Sequence, residues 1–170
     1  MKITVKELRN GHIIVRNQQV LQVVEFQNLN DIYRLQVINY SLHEKQVLDI
    51  GANEELEMIS LTACKAQFNY SEGDIYYFFN LDTYEEIEIE KGTIYNEKWL
   101  KEGHTCTLHS YNGKVIKVDL ARFIDIRVIK IESGVPPIAI LENGVKVKVG
   151  SQVGIGDIIR VDTITETYIG

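Results

Sequence analysis

The chain has 170 residues and a formal net charge of −6, from 18 basic and 24 acidic side chains. This charge repels polyanions, so it argues against tight, sequence-independent binding to free nucleic acid and leaves room only for local contacts with RNA. Two cysteines are too few for a disulfide framework, and the polar opening of the chain is unlike a secretory signal. No apolar stretch approaches the roughly 18 residues that a membrane span needs. The sequence therefore predicts a cytoplasmic globular protein that does not bind membranes.

Pairs of β-branched or aromatic runs, each pair separated by a polar corner, predict a series of hairpins. In chain order the corners lie at residues 17–19, 41–45, 71–74 and 112–113. Asn112-Gly113 is the strongest signal, because both central residues of a type I′ turn need positive φ. Asn143-Gly144 repeats it, and residues 145–149 then alternate valine with lysine, as a strand with one buried face does. The chain is predicted to be β-structure throughout.

Helical periodicity is limited to residues 53–60 and 96–101, which are long enough only for single turns of helix. Many short strands predict several small barrels rather than one sheet, since a single sheet of this many strands would curl or split. Breaks in the pattern place domains at residues 1–62, 63–128 and 129–170. Barrels of this size bury little surface area on their own, so we expect them to pack against one another.

Two clusters of polar side chains and two single histidines could be interpreted chemically, and each has a simpler interpretation. His104, Cys106 and His109 are metal-ligand types, but strand alternation sets His109 on the opposite face from the other two. Five carboxylates at positions 82, 85, 86, 88 and 90 fit a solvated strand face better than a calcium loop. His12 and His43 have no serine or cysteine partner in any recognisable nucleophile motif. The sequence predicts no catalytic residues, no metal site and no cofactor.

Consecutive aromatics at residues 76–79 could stack bases, as aromatics do on the sheets of single-strand binders. No lysine or arginine is interleaved with them, so packing in the core and between domains is the favoured interpretation.

The stretch KAQFNYSEGDIYYFFNLDTYEEIEI, residues 65–89, closely resembles the start of the second domain of translation elongation factor P. The resemblance continues through WLKEG at residues 99–103 and YNGKVIKVDLARFIDIRVIKIESGV at residues 111–135, and ends with IGDIIRVDT at residues 155–163. Nearly the whole chain is covered, with weaker similarity at the N-terminus. The fold implied is three small β-barrels, an SH3-like (KOW-like) barrel followed by two OB-folds.

The resemblance implies a role on the ribosome beside peptidyl-tRNA, where the family helps difficult peptide bonds to form, notably between prolines. A loop of the first barrel usually carries a lysine or arginine, often extended by modification, that reaches toward the transfer centre. Here that loop is short and has no basic residue at its tip. The residues in the corresponding place are Gln27, Asn28, Leu29 and Asn30, and Arg34 aligns with an arginine of the following strand rather than with the tip.

Two further departures concern a loop thought to approach tRNA and messenger and a candidate phosphate contact at the C-terminus. After Gly134-Val135 the family's Gly/Asp/Thr-rich loop is absent and the chain passes directly into Pro136-Pro137, and the chain ends without the family's closing arginine. Two hypotheses follow: a translation factor that acts without a modified lysine, or a degenerate paralogue that binds ribosome, tRNA or protein without promoting peptide transfer. In both, the expected partners are macromolecules rather than a small-molecule substrate, the protein acts as a monomer, and it is not an enzyme.

Overall fold

A computed structural model describes all residues, 1–170, as three antiparallel sheets in succession. The first sheet has six strands in the spatial order β1-β6-β2-β3-β4-β5. Their bounds are β1 Lys2–Thr4, β2 Ile13–Arg16, β3 Gln19–Asn28, β4 Ile32–Asn39, β5 Glu44–Gly51 and β6 Glu55–Ile59.

The second and third sheets have five strands each, in the orders β11-β10-β7-β8-β9 and β14-β13-β12-β15-β16. The second contains β7 Thr62–Glu72, β8 Ile75–Asn80, β9 Glu86–Glu90, β10 Thr105–Tyr111 and β11 Lys114–Asp119. The third contains β12 Phe123–Glu132, β13 Ile138–Leu141, β14 Lys146–Lys148, β15 Ile158–Asp162 and β16 Thr167–Tyr168. The predicted all-β class with three small barrels is confirmed.

Helix is limited to two three-residue 3₁₀ turns, Val5–Glu7 and Glu97–Trp99, and neither is long or apolar enough to cross a membrane. The second turn lies where residues 96–101 were predicted to form one. The prediction of a helical turn at residues 53–60 is wrong, because this segment forms β6. There Leu56 and Ile59 are buried in the first domain while the strand pairs with β1 and β2, so tertiary pairing overrides local propensity.

Each sheet encloses its own hydrophobic core, as the alternation of side chains along the strands requires. In β4, Tyr33, Leu35 and Val37 are buried whereas Arg34 and Gln36 are exposed. The three cores are therefore separate along the chain, with one exception described below.

The sheets also show where one domain passes to the next. The second sheet begins at Thr62, next to the predicted division between residues 62 and 63. The predicted division between residues 128 and 129 falls inside β12, which pairs with β13 and β15 of the third sheet over its length. We therefore place the second division at residues 120–122, between β11 and β12.

The 3₁₀ turn Glu97–Trp99 of the second domain packs against the third domain. Trp99 comes from the second domain but is 2% exposed within the core of the third. Its indole N–H donates to Glu166 Oε1 at 3.3 Å, and Lys98 Nζ contacts the same oxygen at 2.5 Å. Lys101 Nζ lies 2.9 Å from Glu142 Oε1. These contacts fix the two domains against each other.

Candidate functional site

The predicted tip is the turn between β3 and β4 in the first domain. Gln27 and Asn28 are the last two residues of β3, paired with Arg34 and Tyr33 of β4, so they belong to the hairpin arms. The turn itself consists of residues 29–31 alone. The hairpin therefore ends in a short connection rather than a long loop.

Hydrogen bonds hold this turn in one conformation. Asn30 has a φ of +73°, and its backbone N–H donates to Asn28 Oδ1 at 2.9 Å. Leu29 N–H donates to the carbonyl of Ile32 at 2.9 Å. Asparagine tolerates the left-handed conformation better than most residues, so the sequence suits the turn. The other two residues of the turn, Asn30 and Asp31, are exposed.

The electrostatics of the tip are neutral to negative. Asp31 is the only charged side chain in residues 27–31. Arg34 stands in β4, and its guanidinium binds Asp49 of β5 through two bonds, Nε to Oδ1 at 2.9 Å and Nη2 to Oδ2 at 3.1 Å. These hydrogen bonds raise the pKa of Arg34 and lower the pKa of Asp49. The charge of Arg34 is thus matched within the sheet.

The chemistry available at the tip follows from these side chains. Amide groups of Gln27, Asn28 and Asn30 can donate and accept hydrogen bonds, including bonds to phosphate, ribose or base edges. No lysine lies in the turn, so there is no amine for covalent extension and no fixed positive charge to set against phosphates.

The opposite end of β4 meets the second domain. Ile32 and Asn39 are the ends of the strand, separated by about 23 Å at 3.3 Å per residue. Beyond Asn39, Tyr40 lies under the Lys117 ammonium, 5.1 Å from the ring centroid, and His43 stacks on Tyr95 at 6.0 Å. The tip therefore projects from the end of the first domain that faces away from the rest of the molecule.

A cavity of about 490 Å³ lies at this junction and is bordered by all three domains. Its walls include Tyr40 from the first domain, Tyr95 and Lys117 from the second, and Ile164 from the third. The pKa of Lys117 is raised; burial alone would lower it, but Tyr40 and Asp119 outweigh burial. Sequence reasoning missed this cavity, because it depends on how the domains pack rather than on any motif.

The other candidate residues are dispersed and are held by structural contacts. Cys106 is buried, and burial raises the pKa of its thiol to about 12, which is unsuited to a nucleophile. His109 Nε2 bonds to Asp119 Oδ2 at 2.8 Å, whereas His12 Nδ1 accepts from the backbone of Arg9 at 3.1 Å. The structure gathers no three His, Cys, Asp or Glu side chains at one point that could hold a metal ion.

Comparison with known proteins assigns the family. The model described as "Elongation factor P (EF-P) OB domain" matches residues 61–118, and "Elongation factor P, C-terminal" matches residues 130–170. Elongation factor P of Symbiobacterium thermophilum is 30% identical over 181 residues, which cover 98% of each chain. The chain belongs to the elongation factor P family. It is therefore a translation factor by family.

Other relatives extend this result. Elongation factor P of Thermotoga maritima is 28% identical over 182 residues, covering 99% of this chain and 98% of its own, and that of Coprothermobacter proteolyticus is 34% identical over 128 residues, covering 69% and 68%. The alignment with the Thermotoga maritima protein exceeds the 170 residues of this chain by 12 positions. At least that many positions of the elongation factor P relative therefore have no counterpart here.

Solved structures agree at the level of fold. A structure titled "Eukaryotic translation initiation factor 5A from Methanococcus jannaschii" superposes with a TM-score of 0.53 at 16% identity, covering 73% of this chain and 94% of that chain. The "Translation initiation factor eif-5a family protein" from Naegleria fowleri gives 0.53 at 11% identity, covering 71% and 98%. At these identities the likeness concerns the fold alone.

Proposed function

We propose that this protein binds the ribosome beside peptidyl-tRNA and assists peptide-bond formation at difficult sequences such as consecutive prolines, without a modified lysine. The supporting observation is that the match to elongation factor P spans the whole scaffold, with the Thermotoga maritima relative aligned over 99% of this chain. The two family models match the second and third domains, and the hairpin tip lies at one end of the first.

Docking would rely on the domain surfaces rather than on the tip. Eight of the 18 lysines and arginines form ion pairs with carboxylates, and the remaining ten have no carboxylate partner. Lysines and arginines of this kind can contact phosphate oxygens. The exposed Lys2, Lys6 and Arg9 lie within one short N-terminal segment of the first domain. A local group of this kind can contact RNA although the whole molecule is negative.

The tip would then act by position and hydrogen bonding. Holding peptidyl-tRNA in a reactive geometry lowers the barrier by removing motional freedom, and this contribution needs no charge on the protein. The neutral amides of Gln27, Asn28 and Asn30 supply donors for such contacts. What the tip cannot supply is the electrostatic stabilisation that a cationic side chain gives among phosphates.

One observation favours a second candidate function. The tip has no basic residue, and Arg34, the nearest basic residue in the sequence, is bound to Asp49 through Nε and Nη2. A protein with this tip could act as a non-catalytic module that binds ribosome, tRNA or protein without promoting peptide transfer. It would then be a degenerate paralogue of the factors that do promote transfer.

A reconstituted translation system that stalls on consecutive prolines, and contains no other factor of this family, separates the two functions. The first function predicts faster formation of the proline–proline bond when the protein is added. The second predicts co-sedimentation with ribosomes, tRNA or another macromolecule but no change in rate. Both proposals are contradicted if the protein neither accelerates the bond nor co-sediments with any macromolecule.

A loop graft tests whether the scaffold docks in the productive position. Residues 27–31 are replaced by a longer loop of Pro, Gly and Lys, and the matched control carries Gln in place of that Lys. Docking in the family's position predicts that the lysine graft increases the rate of proline–proline bond formation and the glutamine graft does not. If both grafts behave like the unaltered protein while still binding ribosomes, the tip does not reach the transfer centre.

A further inference from the structure

The outward face of β7, β8 and β9 in the second domain combines aromatic side chains with carboxylates. Pairing across the strands sets Tyr70, Tyr77 and Glu88 side by side in one row. In the next row on one side lie Glu72, Ile75 and Glu90, and on the other side, past a β-bulge between Phe68 and Tyr70, lie Gln67, Phe79 and Glu86. We call this surface the acidic–aromatic face, and it comprises Tyr70, Glu72, Ile75, Tyr77, Phe79, Glu86, Glu88 and Glu90.

The two tyrosines form the centre of this face. Tyr70 and Tyr77 stack with ring centroids 4.6 Å apart and an interplanar angle of 17°, and Tyr70 remains 43% exposed. A stacked pair presents a broad electron-rich surface to solvent, which attracts ammonium and guanidinium groups. The face therefore offers contact area as well as charge.

The carboxylates of this face have no cationic partner within the protein. Elsewhere nine Asp and Glu side chains form ion pairs, but Glu72, Glu86, Glu88 and Glu90 form none. The pKa of Tyr77 is raised, first by burial and then by the negative charges around it, of which Glu88 contributes most. The field at the tyrosine pair is thus negative and is not neutralised by the fold.

The same surface ends at an open strand edge. β9 is the outermost strand of its sheet and pairs with β8 only. Asn80 N–H donates to the carbonyl of Glu85 and Lys91 N–H to that of Asp74, so the odd-numbered residues of this segment direct their backbone groups toward β8. Glu86 and Glu88 consequently direct their N–H and C=O groups toward the free edge. An edge of this kind can pair with an extended peptide.

We propose that the free edge of β9 and the adjoining acidic–aromatic face bind an extended, lysine- or arginine-rich segment of another protein. Backbone pairing with Glu86 and Glu88 would add the segment to the sheet as a further strand. Its alternate side chains then lie beside the carboxylates of β9 and point toward Tyr77 of β8, the next strand of the sheet. This binding mode is independent of the tip and of the function proposed above.

Charge complementarity selects this occupant over two others. RNA is repelled, since its phosphates would face unpaired carboxylates. A second copy of the chain would bring its own β9 glutamates against these glutamates, and like charges opposite each other destabilise a strand pair. A basic protein segment converts the same carboxylates into attractive contacts.

The experiment uses the full chain and an acetylated octapeptide of alternating lysine and valine as the probe. Backbone amide resonances followed by NMR during titration should shift in β9 and β8 and leave the first and third domains unchanged. The same peptide with every amide N-methylated keeps its charge but loses its donors, and we expect its affinity to fall about tenfold or more. An octapeptide of alternating glutamate and valine should not bind.

Charge reversal supplies the matched variants. Glu86→Lys with Glu88→Lys should weaken binding of the lysine peptide about tenfold or more, because two attractive contacts become repulsive. Glu55→Lys with Glu102→Lys makes the same change in net charge at exposed positions outside the face and should alter the affinity by less than about twofold. Tyr77→Ala should weaken it about threefold to tenfold through loss of cation–π contact, because Tyr77 is the tyrosine of the pair nearer to β9.

Several results would overturn the proposal. Equal effects of the two double variants would show a general response to net charge, and unchanged affinity of the N-methylated peptide would exclude strand addition. Chemical-shift changes centred on another surface would place the basic segment elsewhere. The NMR map is made on the unaltered protein, so a variant that fails to fold does not remove the test.

Discussion

At the scale of single residues, Asp162 is a buried carboxylate held by several donors. Its Oδ1 accepts from the backbone N–H groups of Ile164 at 2.8 Å and Thr165 at 3.2 Å, and Oδ2 accepts from Arg122 Nε at 3.1 Å. Burial opposes the charged form, but these bonds outweigh it and hold the pKa of Asp162 below its ordinary value. The stabilisation is therefore complete above that value and is lost as the pH falls through the folded-state pKa. We predict that Asp162→Asn lowers the urea midpoint at pH 7, and that the difference from the unaltered protein shrinks below pH 3.8.

Asp125 provides the matched control for Asp162, because its ion pair is exposed. It pairs with Arg160 Nε at 3.1 Å, but the two side chains are 58% and 60% exposed. An exposed pair is screened by water and salt, so Asp125→Asn should change the stability by at most about 1 kcal/mol at pH 7. Equal destabilisation by the two substitutions would contradict the argument from burial.

At the scale of elements, the turn between β2 and β3 offers a stabilising change. Asn17 and Gln18 have φ values of +50° and +64°, the conformation of a type I′ hairpin turn. Glutamine has a Cβ and adopts this region at a cost, whereas glycine does not. We predict that Gln18→Gly raises the free energy of unfolding by about 0.5–1 kcal/mol, measured by urea denaturation. Gln19→Gly, one residue further and inside β3, should lower it.

The same scale shows what the sequence could and could not predict. The sequence predicts the hairpin turn at Asn112-Gly113, because Asn-Gly is the favoured pair of a type I′ turn, and both residues have positive φ. At Asn143-Gly144 the hairpin is present, but among the two only Gly144 has positive φ, so the turn type differs from the sequence signal. At Asn17 and Gln18 the sequence predicts only a polar turn, since glutamine is not typical of positions with positive φ.

The candidate site divides in the same way. The position, brevity and lack of cations of the tip follow from residues 27–31 and were predictable. The pairing of Arg34 with Asp49 was not, because it depends on the register between β4 and β5, which sequence alone does not fix. The cavity at the junction and the insertion of Trp99 into the third core depend on contacts between domains that carry no local pattern.

At the scale of the whole molecule, Trp99 determines whether the second and third domains behave as one unit. Its side chain is 2% exposed among Ile126, Val128, Leu141 and other residues of the third core, although its backbone belongs to the second domain. Replacing a buried Trp by Ala costs about 3–5 kcal/mol, from lost burial and the cavity left behind. Because the contact spans two domains, the loss should also reduce their coupling.

We predict that the unaltered protein unfolds its second and third domains in one calorimetric transition, and that Trp99→Ala separates this transition into two, with the third domain melting first. Trp99→Phe retains most of the packing but removes the N–H donor to Glu166, so it should lower the melting temperature while keeping a single transition. A single transition in Trp99→Ala at an unchanged temperature would show that the two domains are held together by the surface ion pairs of Lys98 and Lys101 instead. That outcome is disfavoured physically, since exposed pairs contribute about 0–1 kcal/mol each and the burial of Trp99 contributes several times more.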